Sequence, residues 1–150
     1  MRYQNLIRNH FTDIAACLLI FLFIYAAISK LLDYQKFRVQ LGQSPLLTSF
    51  AGYVAWVIPS IEIIVAVMLA VQRLRLTAFY LSFSLMTMFT AYIIAITKFS
   101  DYIPCSCGGI LQNMTWNEHL MFNICFVLLS GAAVLWECDR QGGKILNKGR

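Results

Sequence analysis

The chain has 150 residues, 59% of them apolar and 13% charged, with a formal net charge of +5. Soluble domains run nearer about 45–50% apolar and about 25% charged, so a disordered chain, a secreted disulfide scaffold and an ordinary soluble enzyme domain are excluded. The twelve Lys and Arg residues are scattered around apolar segments, which makes them topology signals and argues against a nucleic-acid partner. What remains is an all-α integral membrane protein: a four-helix bundle with short loops, each span taking roughly 20 residues, with the lipid bilayer as its partner.

Residues 1–150 read as a single membrane domain with spans at about 14–30, 50–71, 76–96 and 118–136. The first apolar run, Ile14 to Ile28, has no charge between Asp13 and Lys30. Behind Arg2 and Arg8, and with Ala26-Ala27 near its end, it imitates a signal peptide; three further spans follow, so it reads as a retained helix. Lys30 is expected to snorkel to the interface as an anchor. Leu31, Tyr34, Phe37 and Leu41 then recur at helical spacing among Asp33, Lys36 and Arg38. That is the pattern of a short amphipathic helix lying on the membrane surface, broken by Gly42 and Pro45.

The second span contains Pro59 and one acid, Glu62, and is ended by Arg73 and Arg75. The third, Leu76 to Ile96, is uncharged and closed by Lys98, so a tight, doubly basic turn joins the two. The fourth, Leu120 to Trp136, is entered through Thr115-Trp116-Asn117-Glu118, where Thr115 and Glu118 fit a capping box. The tail from Asp139 to Arg150 is polar and expected to be mobile.

With four spans, the N-terminus, the Arg73–Arg75 turn and the tail share one side. That side holds Arg2, Arg8, Arg73, Arg75, Arg140, Lys144, Lys148 and Arg150, against Lys30, Lys36, Arg38 and Lys98 on the other. The positive-inside rule puts both termini in the cytoplasm. The loop with Cys105 and Cys107 then faces outward, into the periplasm of a diderm bacterium, where disulfides are permitted.

That loop reads Pro104-Cys105-Ser106-Cys107-Gly108-Gly109. A Cys-x-Cys pair closes only a small ring, and departures from preferred disulfide geometry store strain. A strained, exposed disulfide is readily attacked, and a disulfide's stabilisation grows with the loop it closes. The pair is therefore suited to exchange more than to stapling. Gly108 and Gly109 leave one flank open to a partner's backbone, and His119, in the first turn of the fourth span, could serve as base or cationic neighbour. An inert bridge is the plain alternative. A metal site is a further one, but Cys105, Cys107 and His119 make three ligands at best, fewer than a closed zinc site takes; no metal is expected.

These residues resemble the MauE/DoxX family of redox-associated bacterial membrane proteins, from Ala27 to Asn123. The resemblance rests on Ser29-Lys30 with Asp33 and Phe37, on Pro59-Ser60-Ile61-Glu62, and on Cys105-Ser106-Cys107-Gly108-Gly109 followed by Trp116. Gly108 stands where many MauE-like members carry an aromatic residue, which points to a subgroup. The resemblance implies a multi-pass inner-membrane protein of methylamine utilisation. Such a protein supports maturation of the disulfide-rich small subunit of methylamine dehydrogenase beside a thioredoxin-like periplasmic partner.

Among the remaining polar residues, Glu62 is costly inside a span and must face protein or water. It reads as a structural partner of Lys30 or of hydroxyls on the third span, or else as a proton relay or a contact for a quinone headgroup. Asn123 shares a helix face with His119, Cys125 is expected in the packed core, and Ser82, Ser84, Thr87 and Thr90 read as packing material between helices. The activity suggested is thiol–disulfide exchange by Cys105 and Cys107. A relay with one cysteine pair would need a quinone or a partner subunit; otherwise no cofactor is expected. The alternatives are a non-catalytic scaffold subunit for a periplasmic partner and, ranked last, a small transporter, for which the inverted repeats often seen in transporters are missing.

Overall fold

The computed structural model describes residues 2–43, 48–99 and 115–148. The segment with Cys105, Cys107, Gly108 and Gly109 lies outside them. Among the described residues there are five α-helices: α1 (Arg2–Leu32), α2 (Tyr34–Gln43), α3 (Ala51–Ala70), α4 (Arg75–Phe99) and α5 (Trp116–Lys148). Four stretches are long and apolar enough to cross a membrane: His10–Leu32, Ala51–Ala70, Arg75–Ala95 and Asn117–Arg140. The four expected spans are thus present within a few residues of their expected limits.

The spans run up and down, so the bundle has a turn end (71–74) and an opposite end, called the loop end below, where α4 stops at Phe99, α5 starts at Trp116 and α2 sits. Helix α1 packs most extensively on α3, and α4 on α5; the α3–α4 and α1–α5 contacts are sparser. The bundle is therefore two tight helix pairs meeting along a looser seam. Its core is built from Ala15, Ala16, Leu19 and Phe23 of α1, Val65, Ala66 and Leu69 of α3, Ala78 and Phe79 of α4, and Ala133 of α5. Small alanines let membrane helices approach closely, where dispersion between well-packed atoms replaces the hydrophobic drive that lipid removes. Large apolar side chains such as Phe21, Leu32, Tyr53 and Leu135 point outward, as a bilayer solvent requires.

Several expectations are corrected here. Residues 139–148 are helical, since α5 continues to Lys148. Elongating a formed helix adds a hydrogen bond for each residue fixed, whereas starting one is the expensive step. Helix α2 does not offer its apolar face to lipid alone, because Phe37 and Leu41 pack on Ala51 and Ala55 of α3. Leu31 is exposed and belongs to α1. Cys125 is exposed on the bundle surface, as are Cys17 and Cys138, because its helix turns other faces to the core. Ser84 and Thr87 are also exposed. Thr87 donates its hydroxyl to the carbonyl of Phe83 at 2.7 Å, which lets a hydroxyl face lipid without an unpaired donor.

The connections follow local rules. At the turn end, Val71 adopts an extended conformation that stops α3, and the N–H of Leu74 donates to the Val71 carbonyl at 3.0 Å before α4 begins. At the start of α5, the N–H of Thr115 donates to Glu118 Oε2 at 2.8 Å and the N–H of Glu118 to Thr115 Oγ1 at 3.4 Å. This is the reciprocal capping box expected from the sequence.

Candidate functional site

Lys30, Glu62 and His119 come together in the loop-end half of the bundle. All three are buried, with 9%, 1% and 8% of their surface exposed. The Lys30 ammonium donates to Glu62 Oε1 in an ion pair. Lys30 is therefore not an interface anchor. The reason lies in helix geometry: side chains lean toward the N-terminus of their own helix. Lys30, near the C-terminal end of α1, leans back into the bundle; Glu62, on the antiparallel α3, leans toward the loop end, and the two meet. Burial of one charge inside a span is expensive, and pairing makes the site neutral.

The ammonium is also flanked by rings. Its Nζ lies 5.4 Å from the centroid of Phe89 on α4 and 6.0 Å from that of Phe37 on α2, within cation–π range. Helices α1, α2, α3 and α4 thus converge on Lys30. His119 on α5 is buried in the same half of the bundle. Asn123, one turn below His119, is buried on the same helix face. Trp116 begins α5.

Two buried side-chain atoms have no hydrogen-bond partner among the described residues: Glu62 Oε2 and His119 Nδ1. A deprotonated carboxylate oxygen is an acceptor, and so is one nitrogen of a neutral imidazole. Orphaned buried polar atoms are rare in folded proteins and call for a partner, such as water or a ligand. They stand on opposite sides of the seam, Glu62 on the α1–α3 pair and His119 on the α4–α5 pair.

Sequence reasoning reached Glu62, His119 and the Lys30–Glu62 pairing as one of its options. It missed the two rings. Phe37 was legible only as part of the apolar stripe of a surface helix, and nothing in the third span singled out Phe89. It also missed a second polar cluster at the turn end. There Arg75 forms an ion pair with Asp13, its Nε donates to the Leu69 carbonyl at 3.4 Å, and Arg140 pairs with the buried Glu137 at 3.3 Å. The available signal was Asp13, an acid directly before an uncharged run.

No curated protein and no solved structure matches the chain. A family model described as methylamine utilisation protein MauE matches residues 8–137. That match takes in the first three membrane spans whole, the fourth as far as Glu137, and Cys105-Ser106-Cys107, and the chain belongs to the MauE family.

Proposed function

We propose that this protein is a bacterial inner-membrane component of thiol–disulfide exchange, acting outside the cytoplasm through Cys105 and Cys107. The observation that carries the reading is a Cys-x-Cys pair in the segment between α4 and α5 of a MauE-family chain. The excess of basic residues on the side of the termini supports an extracytoplasmic position for that segment. The partner class is a thioredoxin-like periplasmic protein, and the role is maturation of a periplasmic redox protein, of the kind methylamine utilisation requires.

In the exchange step, a thiolate of the pair attacks a partner disulfide, or a partner thiolate attacks the Cys105–Cys107 disulfide. A mixed disulfide forms and is resolved by the remaining cysteine. No net oxidation occurs in that step: one dithiol becomes a disulfide as the other disulfide becomes a dithiol.

The test is labelling of intact spheroplasts with a membrane-impermeant maleimide, with and without mild reduction. Wild type is compared with Cys105→Ser/Cys107→Ser. Cys17, Cys125 and Cys138 are present in both, so the difference reports the pair alone. Labelling of the pair only after reduction is the expected result. Labelling without reductant would point to a standing dithiol, and labelling only in broken membranes would overturn the topology together with the mechanism.

A further inference from the structure

We propose that the seam at Lys30, Glu62 and His119 is a binding site for the ring of a lipid-soluble quinone, held by its oxygens. Glu62 Oε2 and His119 Nδ1 are buried, unpaired among the described residues, and set on opposite walls of the seam. A hydroquinone carries two hydroxyl donors on opposite sides of one ring and can serve both walls. The oxidised form carries carbonyl acceptors instead. Lys30 is the donor for those, since an ammonium has three N–H groups and one is directed at Glu62 Oε1. Phe37 and Phe89, already beside the ammonium, supply aromatic surface of the sort that lines ring sites. Such sites in helical bundles form between helices, mostly apolar with a few convergent polar groups.

The position suits a ligand arriving from lipid. The seam joins the two tight helix pairs through sparser contacts. At the turn end it is closed by the Arg75–Asp13 pair and by Phe11 against Trp136, with ring centroids 4.1 Å apart. At the loop end Glu62 Oε2 and His119 Nδ1 have no partner among the described residues. A single buried water offers two hydrogens and could occupy one acceptor or bridge both, and that is the competing occupant.

The redox role of this site rests on the proposed thiol relay. Oxidation of the Cys105/Cys107 dithiol to a disulfide releases two electrons and two protons. A bound quinone takes up both electrons and both protons and leaves as hydroquinone, so the atoms and charges balance with no further reactant.

The experiment uses the full chain in quinone-free lipid nanodiscs and a decyl-substituted benzoquinone as probe, measured by retention above that of empty nanodiscs. Saturable binding near one probe per chain is expected. Lys30→Met/Glu62→Leu, which removes both charges together, and His119→Phe should each weaken it about tenfold or more, the scale of a lost charged hydrogen bond. Arg75→Leu, at the other end of the seam, should leave binding unchanged, as should Cys105→Ser/Cys107→Ser. Non-saturable retention, or equal retention in the seam variants, overturns the site and leaves water as the occupant. A second arm mixes the pre-reduced protein with probe without air. Binding without conversion of the probe to hydroquinone would uphold the site and sink the relay. A maleimide-switchable disulfide in a protein with no saturable binding would do the reverse.

Discussion

At the turn end, Arg75 reaches from α4 to Asp13 on α1 and to the Leu69 carbonyl on α3, and the buried Glu137 is answered by Arg140 one turn on. At the loop end, Lys30 answers only one oxygen of Glu62, and His119 Nδ1 has no hydrogen-bond partner among the described residues. Both clusters sit on the same seam and both contain a cation with a carboxylate. The first ties the two helix pairs together and supplies a donor to the Leu69 carbonyl near the end of α3. The second buries two polar atoms that have no partner among the described residues. A structural pair needs only the first arrangement; the second is the one that the proposed ligand would complete.

The largest effect that would break this comparison comes from the loop-end pair itself. Lys30→Met leaves a carboxylate buried without its cation, and Glu62→Leu leaves an ammonium without its anion. Each should destabilise the bundle by about 3–5 kcal/mol, whereas the double variant should lie close to wild type, because removing both ions also removes both desolvation penalties. Unfolding in mixed dodecyl sulfate micelles measures this cycle. Additive losses in the double variant would mean that the two residues act through separate contacts, and the ion pair would not be the centre of the cluster.

The expected effect at the turn end is smaller. Asp13 is about half exposed, with 53% of its side chain accessible, so water can replace Arg75 as its partner. Arg75→Leu should cost about 1.5–3 kcal/mol, the range of a charge-assisted hydrogen bond, and Asp13→Asn less. The comparison is sharpened by a second readout, because neither substitution should alter maleimide labelling of Cys105 and Cys107. A loss of labelling with retained stability would show that the turn end is coupled to the loop.

These residues also show how far a sequence can be read. Span number and limits follow from length and hydropathy, since a bilayer leaves a helix few alternatives. The capping box was legible because both of its partners lie within one turn. The Lys30–Glu62 pair was one option among several: its members are 32 positions apart, and only the up–down packing decides which face of α1 meets α3. Phe89 was not legible at all. In a helix apolar on every side, periodicity no longer separates a lipid-facing phenylalanine from one beside a buried ammonium. Cys125 misled for the same reason: free cysteine is usually buried in soluble folds, but lipid accepts it on the surface.

The smallest effect concerns how His119 is held. Thr115 and Glu118 fix the first turn of α5 by reciprocal hydrogen bonds, and His119 donates its own N–H to the Thr115 carbonyl at 3.0 Å. Thr115→Ala removes the hydroxyl acceptor but leaves that carbonyl in place. The stability cost should be about 1 kcal/mol, as for other N-caps, and confined to fraying of the first turn. Amide hydrogen exchange reads this directly: the N–H of Glu118 should exchange faster, while residues around Ala133 in the core should not change. If His119 is held by the cap, quinone retention should fall modestly in Thr115→Ala and recover in Thr115→Ser, which restores the acceptor. Equal retention in all three would mean that packing of α5 on α4 positions the imidazole, and the cap would then matter only to the helix end.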